Sequence, residues 1–376
     1  MFHTFVNKFA QICDFEPKGN TVSAIAIIWQ DGRICYVASS NRGTRGRLKN
    51  ARAALTAVLG ILKSNLEAKT SESDEVMKGR LVREVLRWNS VRVRSYLTSL
   101  SKASQACMKR CDDSHPDGMS ARKALEKWAC DLPDTNQDGQ KSENYIGSTM
   151  HCIKTLHENR KSPLQRYIQA RAVEDDKMAT GGCWSTLRHA AGRLLSYQYA
   201  VQTLVHAHRI WADTDLFRDF DVKSLRSSGS YPAQALDLKP ETAEAVINRA
   251  PGGPSRTQSW RYIGSSKLIC RLCQHYFNVI ATPVRFRSGH LNTYLNWRLP
   301  DIYVDEGDEG SIERERKTWY EVLGQMKGQV YAAVARVLEE KVSDRKPHDS
   351  NTHTDRITGA GDPNHLANWI ENMQLK

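Results

Sequence analysis

No apolar run in this chain of 376 residues approaches the roughly 20 that a bilayer span needs. The opening stretch, MFHTFVNKFAQICDFEPKGN, is amphipathic and lacks a long apolar core of the secretory type, so no signal peptide is expected. Nor is there a disulfide framework: the nine cysteines are odd in number and irregularly spaced, which leaves reduced thiols and metal ligation. The expected location is therefore intracellular, cytoplasmic or nuclear, with no membrane partner. No internal repeat emerges. Acidic residues are outnumbered by basic ones, 42 against 54, giving a formal charge of +12 and a pI near 9.2. Such a field favours polyanions such as nucleic acid, while basic residues spread over several helices also fit an ordinary solvated surface.

What is present is enough for a large core. Hydrophobic residues make up 40% of the chain, and its length leaves room for two or three domains. In TVSAIAIIWQDGRICYVASSN two apolar, β-branched runs flank Asp31-Gly32, a turn signal that predicts a hairpin with strands at about 21–30 and 33–39. The near-continuous apolar first run points to a strand covered on both faces. Ala54, Leu55, Val58, Leu59 and Leu62 then recur at helical spacing, and residues 76–104 carry one long helical pattern with a basic face. From about Cys111 to Gly147 the composition turns polar around a short helical patch near Trp128, which reads as an exposed linker or insertion. A further helix is predicted over about 183–212.

The last third begins as a loop with a short helix after Pro240 and passes through a Pro/Gly/Ser segment to a strand at WRYIG. Cys270-x-x-Cys273 follows on a predicted helix, then the apolar NVIATPVRF and GHLNTYLNWRLPD. An acidic segment separates these from a helix over about 318–341 and a polar tail. Thiolates are soft ligands suited to zinc, and two cysteines in the first turn of a helix can face one ion while the helix dipole favours their ionised form. A redox pair and two buried structural thiols are the alternatives. Zinc requires further ligands in either an active or a structural site.

YIGSSKLICRLCQHYF followed by SGHLNTYLNWRLPD resembles the C-terminal module of a fungal family of nucleic-acid or nucleotide deaminase-like proteins in the cytidine deaminase-like superfamily. VSAIAIIW, ICYVASSNRG and DLFRDFDVKSL are also similar to it, so the resemblance spans about residues 5–304 and is tightest over 262–301. It implies an α/β fold, a cytidine deaminase-like mixed sheet with covering helices enlarged by a mostly helical insertion. The implied divisions are 1–65 for the hairpin and first helix, 66–235 for the insertion with its polar linker near 111–147, 236–305 for the Cys-x-x-Cys module, and 306–376 for an acidic linker, helix and tail. It implies zinc as cofactor, with Cys270 and Cys273 as thiolate ligands, and a nucleic acid or nucleotide as partner. In such deaminases a His-x-Glu motif supplies the third ligand and a proton-shuttling carboxylate.

This chain departs from that pattern, because it contains no His-x-Glu. Thr242-Ala243-Glu244 is the nearest text at a plausible distance, with Glu244 as the candidate shuttle and Thr242 a poor substitute for imidazole. Glu244 also fits an exposed position in the first turn of a short helix. His206 and His208 stand more than 60 residues upstream and read as packed or solvated. His275 points around the helix from the cysteine face. His290 fits a pocket wall or a surface turn. Cys107 and Cys111, at i and i+4, read as packing.

Three functions from different classes remain open at this level. One is a divergent zinc deaminase-family protein with an incomplete catalytic site. Another is an active zinc deaminase with an unrecognised third ligand. The last is a basic, helix-rich interaction protein without metal. Further expectations are that the hairpin joins the strand at 261–264, that Tyr294 and Trp297 are buried near the Cys-x-x-Cys helix, and that deamination is inefficient.

Overall fold

Gly32 sits at φ 78°, a region that glycine enters without the steric cost a side chain brings. There β1 (Ser23–Gln30) folds back on β2 (Arg33–Ser40) as the expected antiparallel hairpin, with Gln30 opposite Arg33 and Ser23 opposite Ser40. The computed structural model describes residues 1–17, 21–30, 32–41, 44–67, 73–112, 116–133, 142–175, 182–225, 261–280, 284–287, 289, 320–326, 328–329 and 332. Within these residues the fold is mixed α/β, mostly helical, around a five-stranded sheet. Glu244, His290, Tyr294, Trp297, the helix expected after Pro240 and the polar tail lie outside them.

β3 (Phe220–Ser224) lies parallel to β2, β4 (Tyr262–Ser265) pairs antiparallel with β1, and β5 (Arg285–Phe286) runs parallel to β4. The order is β3-β2-β1-β4-β5, so the hairpin and the strand at 261–264 do share one sheet. Four of the strands point the same way, and their carboxyl ends lie on the rim where β1 begins. β1 is not covered equally on its two faces. Ser23, Ile25 and Ile27 are buried while Ala24, Ala26 and Ile28 are half-buried among the described residues, the alternation of a strand with one dominant core face.

That core face receives α1 (Phe2–Ile12), whose Phe5, Val6 and Phe9 are fully buried. α2 (Arg45–Glu67) packs on β2 and β3, and a helical layer adds α3 (Asp74–Trp88), α4 (Ser90–Met108), α5 (Pro116–Cys130), α6 (Glu143–Glu158), α7 (Pro163–Asp175) and α8 (Cys183–Ile210). One continuous apolar cluster joins α1, the sheet and these helices. The pattern over 76–104 resolves into two helices rather than one. They meet at Asn89, whose Nδ2 donates to the Ile12 and Val85 carbonyls at 2.9 and 3.0 Å, so a buried side chain takes over where the helical ladder stops. The patch near Trp128 is a helix of 15 residues, with Leu125 fully buried. Cys107 and Cys111 are buried, as packing residues should be.

α1 carries polar residues into the interior, and each finds a partner. Asn7 Oδ1 accepts from the Ser265 N–H at 3.1 Å, and its Nδ2 donates to the Tyr262 hydroxyl at 2.8 Å. Gln11 Nε2 donates to Ser196 Oγ of α8 at 2.6 Å. Just beyond α1, Asp14 Oδ2 pairs with Arg92 Nη1 of α4 at 2.6 Å, Thr21 donates to Asp14 Oδ1 at 2.5 Å, and Arg92 also donates to the Asp14 carbonyl. Arg92 and Asp14 side chains are 5% and 0% exposed, so removing one strands the other charge. Arg92→Met is therefore expected to cost about 3–5 kcal/mol of stability, most of it restored in an Asp14→Leu/Arg92→Met double variant. Urea unfolding midpoints check this, and equal losses in the single and double variants would show that the pair holds nothing together.

Candidate functional site

β4 ends at Ser265 against the start of β1, and the next residues are bound tightly to that end of the sheet. Ser266 donates its N–H to the Ser23 carbonyl at 2.9 Å and accepts at Oγ from the Ser23 N–H at 3.0 Å. Arg287, buried just past β5, donates to the Ser265 carbonyl at 3.3 Å. Ile269 forms a parallel bridge with Gly289, which carries the β4–β5 pairing beyond the strands proper. The segment preceding Cys270 is thus fixed from both sides before the chain turns into α9 (Arg271–Val279).

Cys270 is the N-cap of α9, with φ −75° and ψ 164°, and its sulfur accepts from the Cys273 N–H at 3.3 Å. N-caps are usually hydroxyls or carboxylates because the first turn of a helix has N–H groups without intrahelical partners. Here a thiol fills that role, which favours its anionic form. The Cys273 thiol hydrogen bond lowers the Cys270 pKa to about 7, helped by the Cys273 and Leu272 N–H groups and opposed by burial. Cys270 is buried and Cys273 half-buried, so solvent reaches the pair through Cys273.

The remaining histidines that the sequence raised are placed elsewhere, where the structure describes them. His275 Nδ1 donates to Gln329 Oε1 at 2.7 Å, on the side of α9 that packs Tyr276 against Val322 and Met326. Those partners belong to the C-terminal helical segment, helical at 320–326 and 328–329. His208 is buried on α8 with Nε2 3.0 Å from the Leu62 carbonyl, and His206 is exposed. Among the described residues no third His, Cys, Asp or Glu joins the cysteine pair in a group able to hold a metal. The donor set therefore fits the two-thiolate half of a zinc site by its chemistry, with any completing ligand to come from outside the described residues. Asn7 and Tyr262, which hold β4 to α1, escaped the sequence reading because nothing local marks a partner 255 residues away.

Compared with known families, residues 242–301 match the family model described as "OTT_1508_deam:-like deaminase", about a sixth of the chain. The matched segment contains Cys270 and Cys273 and opens at Thr242, two residues before Glu244. No curated protein and no solved structure matches the chain.

The geometry makes a prediction for metal-free protein. A thiol with pKa near 7 is ionised above that pH and loses reactivity as pH falls through it. Alkylation of Cys270 by iodoacetamide after chelator treatment, followed by peptide mass spectrometry, should therefore titrate near pH 7. In Cys273→Ala, which removes the thiol donor, the midpoint should move up toward the ordinary value of about 8.5. A wild-type midpoint already at that value would mean that the N-cap does not stabilise the thiolate.

Proposed function

We propose that this chain is a divergent deaminase-family protein in which Cys270 and Cys273 hold zinc, and in which the hydrolytic site is incomplete. The observation that carries it is the Cys270 thiol poised for ionisation at the N-terminus of α9, on the carboxyl rim of the sheet and inside the deaminase-like segment. Ligands in open α/β sheets gather at that rim, outside the carboxyl ends of the strands. A zinc ion there supplies Lewis acidity for hydrolysis at an amidine carbon. The two thiolates bind and orient the ion, and Glu244 is the candidate proton carrier. Without His-x-Glu the third ligand is missing from its usual place, and the number of ligands governs both metal affinity and the open coordination position. Deamination by this chain is accordingly expected to be slow by orders of magnitude.

One observation favours a second reading. Gly289 is bridged to Ile269, the residue before Cys270, and His290 follows Gly289 in sequence. If His290 supplies the third ligand, the site regains a three-ligand set and the chain is an active zinc deaminase.

Elemental analysis of the purified chain decides between metal and no metal. About one equivalent of zinc is expected, lost in Cys270→Ser/Cys273→Ser. A metal-free wild-type protein loaded with zinc and still empty after desalting would leave the basic interaction protein as the surviving function. Deamination assays on cytosine- and adenine-containing nucleotides and single strands then separate the other two. Negligible turnover, unchanged in Glu244→Gln, supports the incomplete site. Robust turnover abolished by His290→Ala, with loss of zinc, establishes the second reading.

A further inference from the structure

Between Asp31 and Glu67 the chain carries no acidic residue and seven basic ones. In the structure this run makes β2 and α2. The apolar side of α2, including Leu48, Ala51, Leu55 and Val58, is buried. On another side Arg45, Lys49 and Arg52 recur at i, i+4 and i+7, which places them within about 60° of one another around the helix. All three are exposed, and none has an ion pair among the described residues. The neighbouring cations are different: Arg47 is tied to Glu16 at 3.1 Å and Lys63 to Glu67 at 3.6 Å. On α3, Lys78 and Arg87 are likewise neutralised by Glu75 and Glu84.

The stripe is placed by the same sheet geometry that places the cysteines. β2 and β4 flank β1, with Ser40 opposite Ser23 and Ser265 opposite Ala24, so their carboxyl ends leave one rim about 10 Å apart, two strand spacings. Asn41 Oδ1 accepts from the Val22 N–H at 2.9 Å just as Ser266 Oγ accepts from the Ser23 N–H, so both exits are pinned to adjacent residues where β1 begins. Five residues beyond Ser40 comes Arg45, and five beyond Ser265 comes Cys270. Two helices thus start from one rim, one presenting unpaired cations and the other a thiolate pair. The positive end of the α2 dipole adds to the cationic field.

We infer that Arg45, Lys49 and Arg52 form a phosphate track for a single-stranded nucleic acid that delivers a base to the Cys270 side of the rim. The inference rests on the deaminase reading for its choice of a single strand, since an atom on a base is reached only when that base is out of the duplex stack. The track spans about 10 Å, enough for a few consecutive phosphates. It assigns the substrate as a strand rather than a free base or nucleoside, neither of which has phosphates to engage it.

The test is fluorescence anisotropy of labelled oligo-dT and oligo-U with the full chain over a range of salt concentrations. Each neutralised phosphate of a single strand contributes about 0.7 to the slope of log affinity against log salt. Arg45→Gln/Lys49→Gln/Arg52→Gln should make that slope shallower by about 2 and weaken low-salt binding at least tenfold, roughly. Lys102→Gln/Lys123→Gln/Lys127→Gln, which removes the same charge from exposed positions of α4 and α5, should leave the slope unchanged. Equal losses in the two triple variants, a preference for duplex, or no strand binding by the wild type would each overturn the track. The Cys270→Ser/Cys273→Ser variant should still bind the strand. Strand binding with the expected slope change in a protein that takes up no zinc would support the track while removing the zinc reading, and zinc uptake without strand binding would do the reverse.

Discussion

The position of everything in this molecule depends on α1, an amphipathic helix that has almost no solvent-facing side. It lies against β1 and β4 on one flank and α8 on the other, and Asn7, Lys8 and Gln11 are buried along with its phenylalanines. Burying polar groups is tolerable only when each finds a partner. Asn7 bonds to β4, Gln11 to α8 and, just beyond the helix, Asp14 to Arg92 of α4, so three polar groups fix this segment to three different elements, while Lys8 bonds to Gln11 within the helix. The apolar packing supplies the attraction and the polar contacts supply the register. Gly264 marks how close the approach is: a Cβ there would stand 2.6 Å from the Val6 carbonyl carbon. β4 can lie this near to α1 only because it has no side chain at that point.

This matters for chemistry because β4 is also the strand that leads to Cys270. A thiol at a helix N-cap is useful only if its surroundings are rigid, since the N–H donors that stabilise the anion belong to the first turn of the helix itself. The bonds from Ser23 to Ser266, from Arg287 to Ser265 and across the Ile269–Gly289 bridge all restrain the segment that carries the sulfur. On its far side α9 is held by Tyr276 against Val322 and Met326, and by His275 against Gln329. The histidine nearest to the cysteines in sequence is thereby oriented through Nδ1, while its Nε2 is buried without a partner among the described residues.

Much of this was legible in the sequence wherever the signal is local. Asp31-Gly32 marks the hairpin because the turn needs a positive φ, and the cysteines mark a helix start because their spacing fits one turn. The break at Asn89 was not legible. Its flanks continue the same apolar spacing, and what stops the helix is a side-chain bond to Ile12, 77 residues earlier. α7 is hard to read locally because it buries only Ile168, Ala172 and Asp175, and packing on α8 decides its state, whereas α6 carries Ile146, Cys152, Ile153 and Leu156 at helical spacing. The cationic stripe was readable in principle, as a gap in acidic residues from Asp31 to Glu67, but totalling charge over the chain concealed it. Charge becomes informative only when sorted by helix face and by whether each cation already has a partner.

The two exits from the sheet rim tie these threads together. Parallel strands must send their successors off the same end, so a sheet in which β2, β3, β4 and β5 all point one way gathers several loop and helix starts in one place. Each helix start brings unsatisfied N–H groups and a positive partial charge. At α9 that charge stabilises a thiolate within the protein, and at α2 it adds to arginine and lysine side chains facing solvent. One topological fact therefore places both a thiol pair at a helix start and an exposed cationic stripe on the same rim.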